Sequence, residues 1–283
     1  MDDLLREKES RLRAELQELG SVLIAYSGGV DSAYLAWAAR QAPGLRMLAM
    51  LADSPSLARH HLDEAIIFAR KEGIPLEVIQ TAEMENSEYV KNDLQRCFHC
   101  KNELFTQMEE ARERLGFQHL AYGMNLDDRG DYRPGQKAAL EHGVLAPLVQ
   151  AGLNKADVRA LAHAAGLQVW DKPASACLSS RIAYGNPVTR ETLDRIEEGE
   201  AYLRNLGFNQ FRVRDHGGLA RIEIAQEEMG DILSPVMLQD LTARFRSLGF
   251  TYVTLDCGGY QSGSMNAALS TEARSSADAP GLS

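Results

Sequence analysis

The chain has 283 residues, of which 45% are hydrophobic and 25% charged, with a formal net charge of −10. This composition suits a globular enzyme with a sizeable core, so neither a metal nor a disulfide is needed merely to fold it. The acidic balance disfavours a non-specific grip on a nucleic-acid backbone, and no apolar run approaches the ~18 residues of a bilayer crossing.

Residues 1–20 are densely charged. Leu4, Leu5, Leu12, Leu16 and Leu19 recur at helical spacing, which predicts an amphipathic packing helix and not a secretory signal. A cytoplasmic location is expected, and there four cysteines favour metal or catalytic use over disulfides. Strands at 22–26, 45–52, 76–79 and 119–122 alternate with helices at 32–40, 57–71 and 98–115, and Asn154 caps a further helix closed by Gly166. This order predicts an α/β domain with a parallel twisted sheet and flanking helices.

The character shifts near Asp171-Lys172-Pro173. A helix at 189–206, strands at 210–214 and 219–224, a helix at 235–248 and a strand at 252–256 predict a smaller α+β domain, with His216-Gly217-Gly218 turning a hairpin. The expected organisation is a nucleotide-binding domain over 1–180, the small domain over 181–263 and a disordered tail over 264–283, where residues are small, polar and unpatterned. Trp37 and Trp170 read as core residues.

The first strand runs into Ser27-Gly28-Gly29-Val30-Asp31-Ser32, and a helix follows. Paired glycines allow a tight turn and close backbone approach, while helix-start amides and dipole favour an anion. Ser27 and Ser32 add hydroxyl donors, and Asp31 would repel phosphates unless it held Mg²⁺. The Gly-Lys-Ser/Thr ending of a Walker A loop is absent. The loop resembles that of the ATP-pyrophosphatase, or PP-loop, enzymes, which cleave ATP between its α and β phosphates to activate a substrate oxygen. The resemblance implies ATP and Mg²⁺, yet covers synthetases, ammonia-using amidotransferases and tRNA thiolases alike.

Cys97 and Cys100 form a Cys-x-x-Cys at a helix start, where Arg96, Lys101 and the helix dipole would stabilise thiolates. Two thiols are an incomplete metal site, and Cys177 is the best third ligand. Three thiolates on a four-iron, four-sulfur (4Fe-4S) cluster would leave one iron open for sulfide. Cys257 reads as a packed structural thiol, and His99 as a helix-surface residue.

Residues 172–185, KPASACLSSRIAYG, are similar to a segment of the LarE family of ATP-dependent sulfur transferases in nickel-pincer cofactor synthesis. Gly123-Met124-Asn125-Leu126-Asp127-Asp128, with Asp131 to Gly135, resembles that family's substrate-side loop, and residues 211–216, FRVRDH, resemble its second-domain basic strand. The likeness runs in order from about Ser21 to Gly259. It implies conversion of pyridinium-3,5-biscarboxylic acid mononucleotide to its bisthiocarboxylic form, in support of lactate racemase maturation. It also implies a homo-oligomer, a hexamer, and transient contacts with other proteins of the same biosynthesis.

Residue by residue, the resemblance places Ser27, Gly28, Gly29, Asp31, Ser32, Asp53 and Gly123 at the nucleotide. It places Asp127, Asp128, Arg133, Ser180, Arg181, Arg212 and Arg214 at the substrate, with Cys177, Asp31 and Arg181 in the chemistry. Glu200, Glu223 and Asp231 match acidic positions near the sulfur cysteine or a metal. In one family variant a lone cysteine at the Cys177 position surrenders its sulfur and becomes dehydroalanine. In the other, three cysteines hold a sulfide-relaying cluster, and Cys97 and Cys100 favour that variant here. From the residues alone, Arg212 and Arg214 would read as a solvated basic face and the three acids as water-facing.

Overall fold

A computed structural model describes residues 2–130, 134–173, 175–261 and 265. Arg133, expected at the substrate, and the expected disordered tail, apart from Met265, lie outside the described residues. The chain divides into two compact units, Met1–Glu83 with Cys97–Ser175, and Met84–Arg96 with Ala176–Ser283.

The first unit opens with α1 (Asp3–Glu18), capped by the Asp2 carboxylate and burying Leu5, Leu12 and Leu16 at helical spacing. There follow β1 (Ser21–Ala25), α2 (Val30–Gln41), β2 (Arg46–Asp53), α3 (Arg59–Lys71) and β3 (Leu76–Gln80). After these come α4 (Arg96–Leu115), β4 (His119–Tyr122), α5 (Pro134–Glu141) and α6 (Lys155–Ala164). Among the described residues the strands of this unit form one parallel sheet in the order β3-β2-β1-β4. Val22, Ile24, Ala49 and Leu51 pack on one face with α1, α2 and α6, while Leu23, Ala25 and Met50 pack on the other with Leu104, Phe105 and Met108 of α4. Every residue of β1 is buried, as a central strand covered on both faces requires.

The strand order reverses direction at β1. In open parallel sheets ligands settle at such a switch point, outside the carboxyl ends of the strands, and the loops after β1 and β4 meet there.

The second unit contains α7 (Arg190–Asn205), β5 (Phe211–Asp215), β6 (Leu219–Ile224), α8 (Pro235–Ser247) and β7 (Tyr252–Leu255). β5 and β6 form an antiparallel hairpin whose turn uses Gly217 and Gly218, both at positive φ. α8 then crosses over so that β7 pairs parallel with β6. Ile196, Val213, Ile222 and Phe245 are fully buried, and Gly199 lets α7 approach Phe245 closely. Among the described residues no helix is long and apolar enough to cross a membrane.

Candidate functional site

In the first unit the loop after β1 is shaped by glycines at two points. Gly28 adopts φ +71°, and a Cβ there would lie 2.6 Å from the Ala65 Cβ. A Cβ on Gly123, just past β4, would lie 2.6 Å from the backbone nitrogen of Ser32, so the β4 loop rests directly on the start of α2. The N-cap of α2 is Gly29, which has no side chain to cap the helix, so its first-turn N–H groups stay available to an anion. The Ser27 backbone N–H donates to Ser32 Oγ at 3.1 Å, and the two hydroxyls are also 3.1 Å apart.

Asp31 is held by two groups that the residue types alone did not single out. Its carboxylate takes the Lys155 ammonium, and the Asn125 amide donates to it at 3.3 Å. Asn125 is buried, and its Oδ1 accepts from the Asp127 N–H at 2.9 Å. Asp127 in turn accepts from the Lys155 N–H at 3.0 Å, and Asp128 from the Asn125 N–H at 3.2 Å. Asp127 therefore fastens the β4 loop to the start of α6, while Asp128 closes the loop on itself. A further lysine, Lys172, donates to the Gly28 carbonyl at 3.2 Å and pairs with Glu64 at 2.9 Å. Asp53, at the end of β2, accepts from Arg59 and from Gln80 at 2.6 Å. Burial alone would raise its carboxyl, but those bonds and the Arg59 charge bring it below the ordinary range.

A Mg²⁺ ion is usually bound through one or two carboxylates together with substrate phosphates, and Asp31 beside an uncapped helix start fits that need. Within either unit, among the described residues, no three His, Cys, Asp or Glu side chains form a metal-holding group. Cys97 and Cys100 stand one turn apart on α4, the first exposed and the second half-buried, neither in a disulfide. His99 between them is half-buried and packs edge-on against Phe98.

In the second unit Cys177 is a half-buried free thiol just ahead of the turn Leu178–Arg181. Its Sγ lies 3.0 Å from the Ser179 hydroxyl. Arg181, only 3% exposed, donates to the carbonyls of Ala176 and Cys177 and grips Glu200 at 3.0 and 3.2 Å. Ser180 donates to the Cys177 carbonyl at 2.7 Å. On another side Arg96 donates to the Ser179 carbonyl at 2.8 Å. Burial pushes the Cys177 thiol up, but the Arg96 charge, the Ser179 hydroxyl and Arg181 outweigh it and draw the thiol below its ordinary value.

Several expectations are corrected here. Glu200 and Glu223 do not face water: they are 4% and 0% exposed, because each neutralises a buried arginine. Arg214 is buried with Glu223 at 2.8 Å, so β5 presents no solvated basic face, although half-buried Arg212 emerges beside the ring of Tyr260. Asp231 alone of the three acids is exposed, on a single helical turn. Cys257 is exposed, since the chain turns away at Gly258-Gly259 after β7 ends. Trp170 is 39% exposed and packs edge-on against His163. Arg96, expected beside the Cys97 and Cys100 thiols, turns its guanidinium into the Cys177 loop.

The chain is 44% identical over 266 residues to an uncharacterized protein of Synechocystis, covering 94% of this chain and 99% of that one. It is 36% identical over 267 residues to the pyridinium-3,5-bisthiocarboxylic acid mononucleotide synthase of Lactiplantibacillus plantarum, covering 94% and 96%. The chain belongs to the LarE family. An uncharacterized protein of Methanocaldococcus jannaschii, 29% identical over 241 residues, shares the same likeness across 85% of the chain. No protein-family model matches the chain. The loop after β1 and the Cys177 turn both lie within the span shared with the LarE synthase, so their geometry is relevant to that family's chemistry.

Proposed function

We propose that this LarE-family protein is an ATP-dependent sulfur transferase that converts pyridinium-3,5-biscarboxylic acid mononucleotide to its bisthiocarboxylic form. The observation that carries the reading is Cys177, a thiol drawn toward thiolate by two buried guanidinium groups in a chain that also has an uncapped, glycine-shaped phosphate loop.

A carboxylate resists attack because oxide is a poor leaving group. In the proposed reaction a substrate carboxylate oxygen attacks the α-phosphorus of ATP and pyrophosphate leaves. The amides at the start of α2, Ser27, Ser32 and the lysines Lys155 and Lys172 supply donors and positive charge to the phosphates. Mg²⁺, held by Asp31, would offset charge on the departing pyrophosphate. A sulfur nucleophile then adds to the acyl carbon and AMP leaves. Arg212, half-buried and lying over the ring of Tyr260, suits the substrate's phosphate or carboxylate.

The source of sulfur is a further proposal and rests on sequence resemblance. Cys97, Cys100 and Cys177 would hold an iron–sulfur cluster that supplies sulfide. In the alternative route the Cys177 thiolate itself attacks, and its Cβ–Sγ bond then breaks with loss of the Cα proton, leaving dehydroalanine. One anaerobic preparation tests all of this. AMP, pyrophosphate and thiocarboxylate formed from ATP and the biscarboxylic mononucleotide support the reading, and their absence overturns it. Iron with acid-labile sulfide supports the cluster, whereas dehydroalanine at position 177 without iron supports the sacrificial route. Sulfur transfer to tRNA, or activity with ammonia that survives Cys177→Ala, would replace the proposed substrate.

A further inference from the structure

Residues 84–96 interrupt the sequence of the first unit yet belong to the second. Within them Asn92 is fully buried and sits at φ 57°, the left-handed region that side chains other than glycine rarely enter. Its amide nitrogen donates to three carbonyls, those of Ile182 at 3.3 Å, Ala183 at 2.9 Å and Asn186 at 2.9 Å. Its backbone carbonyl accepts from the Gly185 N–H at 3.2 Å. Its Oδ1 accepts from Arg96, which is 5% exposed and whose same Nη1 donates to the Ser179 carbonyl. Four carbonyls of the segment that follows Cys177 are thus held by two side chains four positions apart.

A strained backbone and a buried cation each cost stability and persist only where the surroundings over-determine them. What the arrangement does achieve is specific. It fixes the carbonyl two residues past Cys177 and brings a permanent positive charge to the same turn that Arg181 binds, within electrostatic reach of the sulfur.

We propose that Arg96, held in place by Asn92, is a positioning residue for Cys177: it sets the sulfur's placement and makes its surroundings selective for an anionic reaction partner. The anion in question is the carboxylate or acyl phosphate of the substrate, so the role deepens the function proposed above and rests on Cys177 being the sulfur-bearing residue.

The test is the ratio of Cys177 alkylation rates by anionic iodoacetate and neutral iodoacetamide. It is read by peptide mass mapping on the full chain, with Cys97, Cys100 and Cys257 changed to serine. A merely structural residue would alter both rates together and leave the ratio alone. Arg96→Gln is expected to lower the ratio roughly tenfold, the scale of one unit charge in partly buried surroundings. Arg96→Lys should restore the ratio but not the placement, so in the otherwise unmodified chain it should lower kcat for sulfur transfer with little change in KM. An unchanged ratio in folded Arg96→Gln overturns the proposal. If that variant does not fold, Asn92→Gly decides: it keeps the left-handed backbone, and wild-type ratio and kcat in it overturn the proposal equally. The ratio needs no turnover, so it can fail while Cys177 remains the sulfur donor, or hold while sulfur transfer proves absent.

Discussion

The ammonium of Lys155 rests on the carboxylate of Asp31. An acid at the start of α2 would repel phosphates, and this pair offsets its charge. On the function proposed above, incoming phosphates would meet an acid already paired and a cation already in place. Lys155→Ala should therefore weaken ATP use more than it weakens the fold, because the pair is partly exposed and such pairs contribute only about 0–1 kcal/mol to stability. A fall of roughly a hundredfold in kcat/KM for pyrophosphate release is the scale expected for one lost charge at a transition state. A Tm unchanged within error, measured alongside, separates this outcome from unfolding.

Gly123 is where the β4 loop meets the α2 backbone. Gly123→Ala places a methyl 2.6 Å from Ser32 N and 2.8 Å from Ser32 Cα, and neither atom can move without shifting the phosphate loop. Overpacking of this kind costs about 1–3 kcal/mol. The expected result is a lower melting temperature together with weaker ATP binding by calorimetry. A loss of stability with intact ATP affinity would show that the contact braces the fold and not the loop.

The pair Arg214–Glu223 is buried on both sides. Removing one partner by Glu223→Ala leaves an uncompensated guanidinium, at a cost of about 3–5 kcal/mol. Urea unfolding should show that loss, and the double change Arg214→Met with Glu223→Met should recover much of it.

Asp53 provides a pH signature. Its folded carboxyl lies below the ordinary value of 3.8, so the stabilisation from Arg59 and Gln80 is present in full above that value. It is lost as the pH falls through the lower, folded value, since the unfolded chain takes up the proton first. Asp53→Asn should flatten this part of the acid limb of a stability–pH curve and leave the curve's shape near neutrality unchanged.

Much of the first unit was legible because a parallel sheet needs runs such as residues 22–26 and 45–52, and these alternate visibly with amphipathic helices. The glycine loop after β1 was legible because paired glycines between a buried strand and a helix mark a tight turn at a helix start. Lys155 and Lys172 were not legible as site residues, since a lysine's reach depends on which loop it faces. The burial of Glu200 and Glu223 was not legible, because single acids on a helix and a strand carry no local sign of the arginines that neutralise them. Asn92 escaped notice because its φ is set by partners some ninety positions away in the sequence. The helix Pro134–Glu141 is short and begins in a segment whose turn residues mask its periodicity.

The excursion of residues 84–96 has a consequence for synthesis. A ribosome delivers this strip long before residues 176–186, the partners of Asn92, emerge. Until then Asn92 has no reason to hold its unfavourable backbone angle, and the cysteine turn has no scaffold. The Cys177 sulfur therefore acquires its setting late, after most of the chain that precedes it has been made. A fragment beginning at residue 176 would contain Cys177, Arg181 and the whole β5-β6-β7 sheet, yet would lack the piece that holds the turn in place.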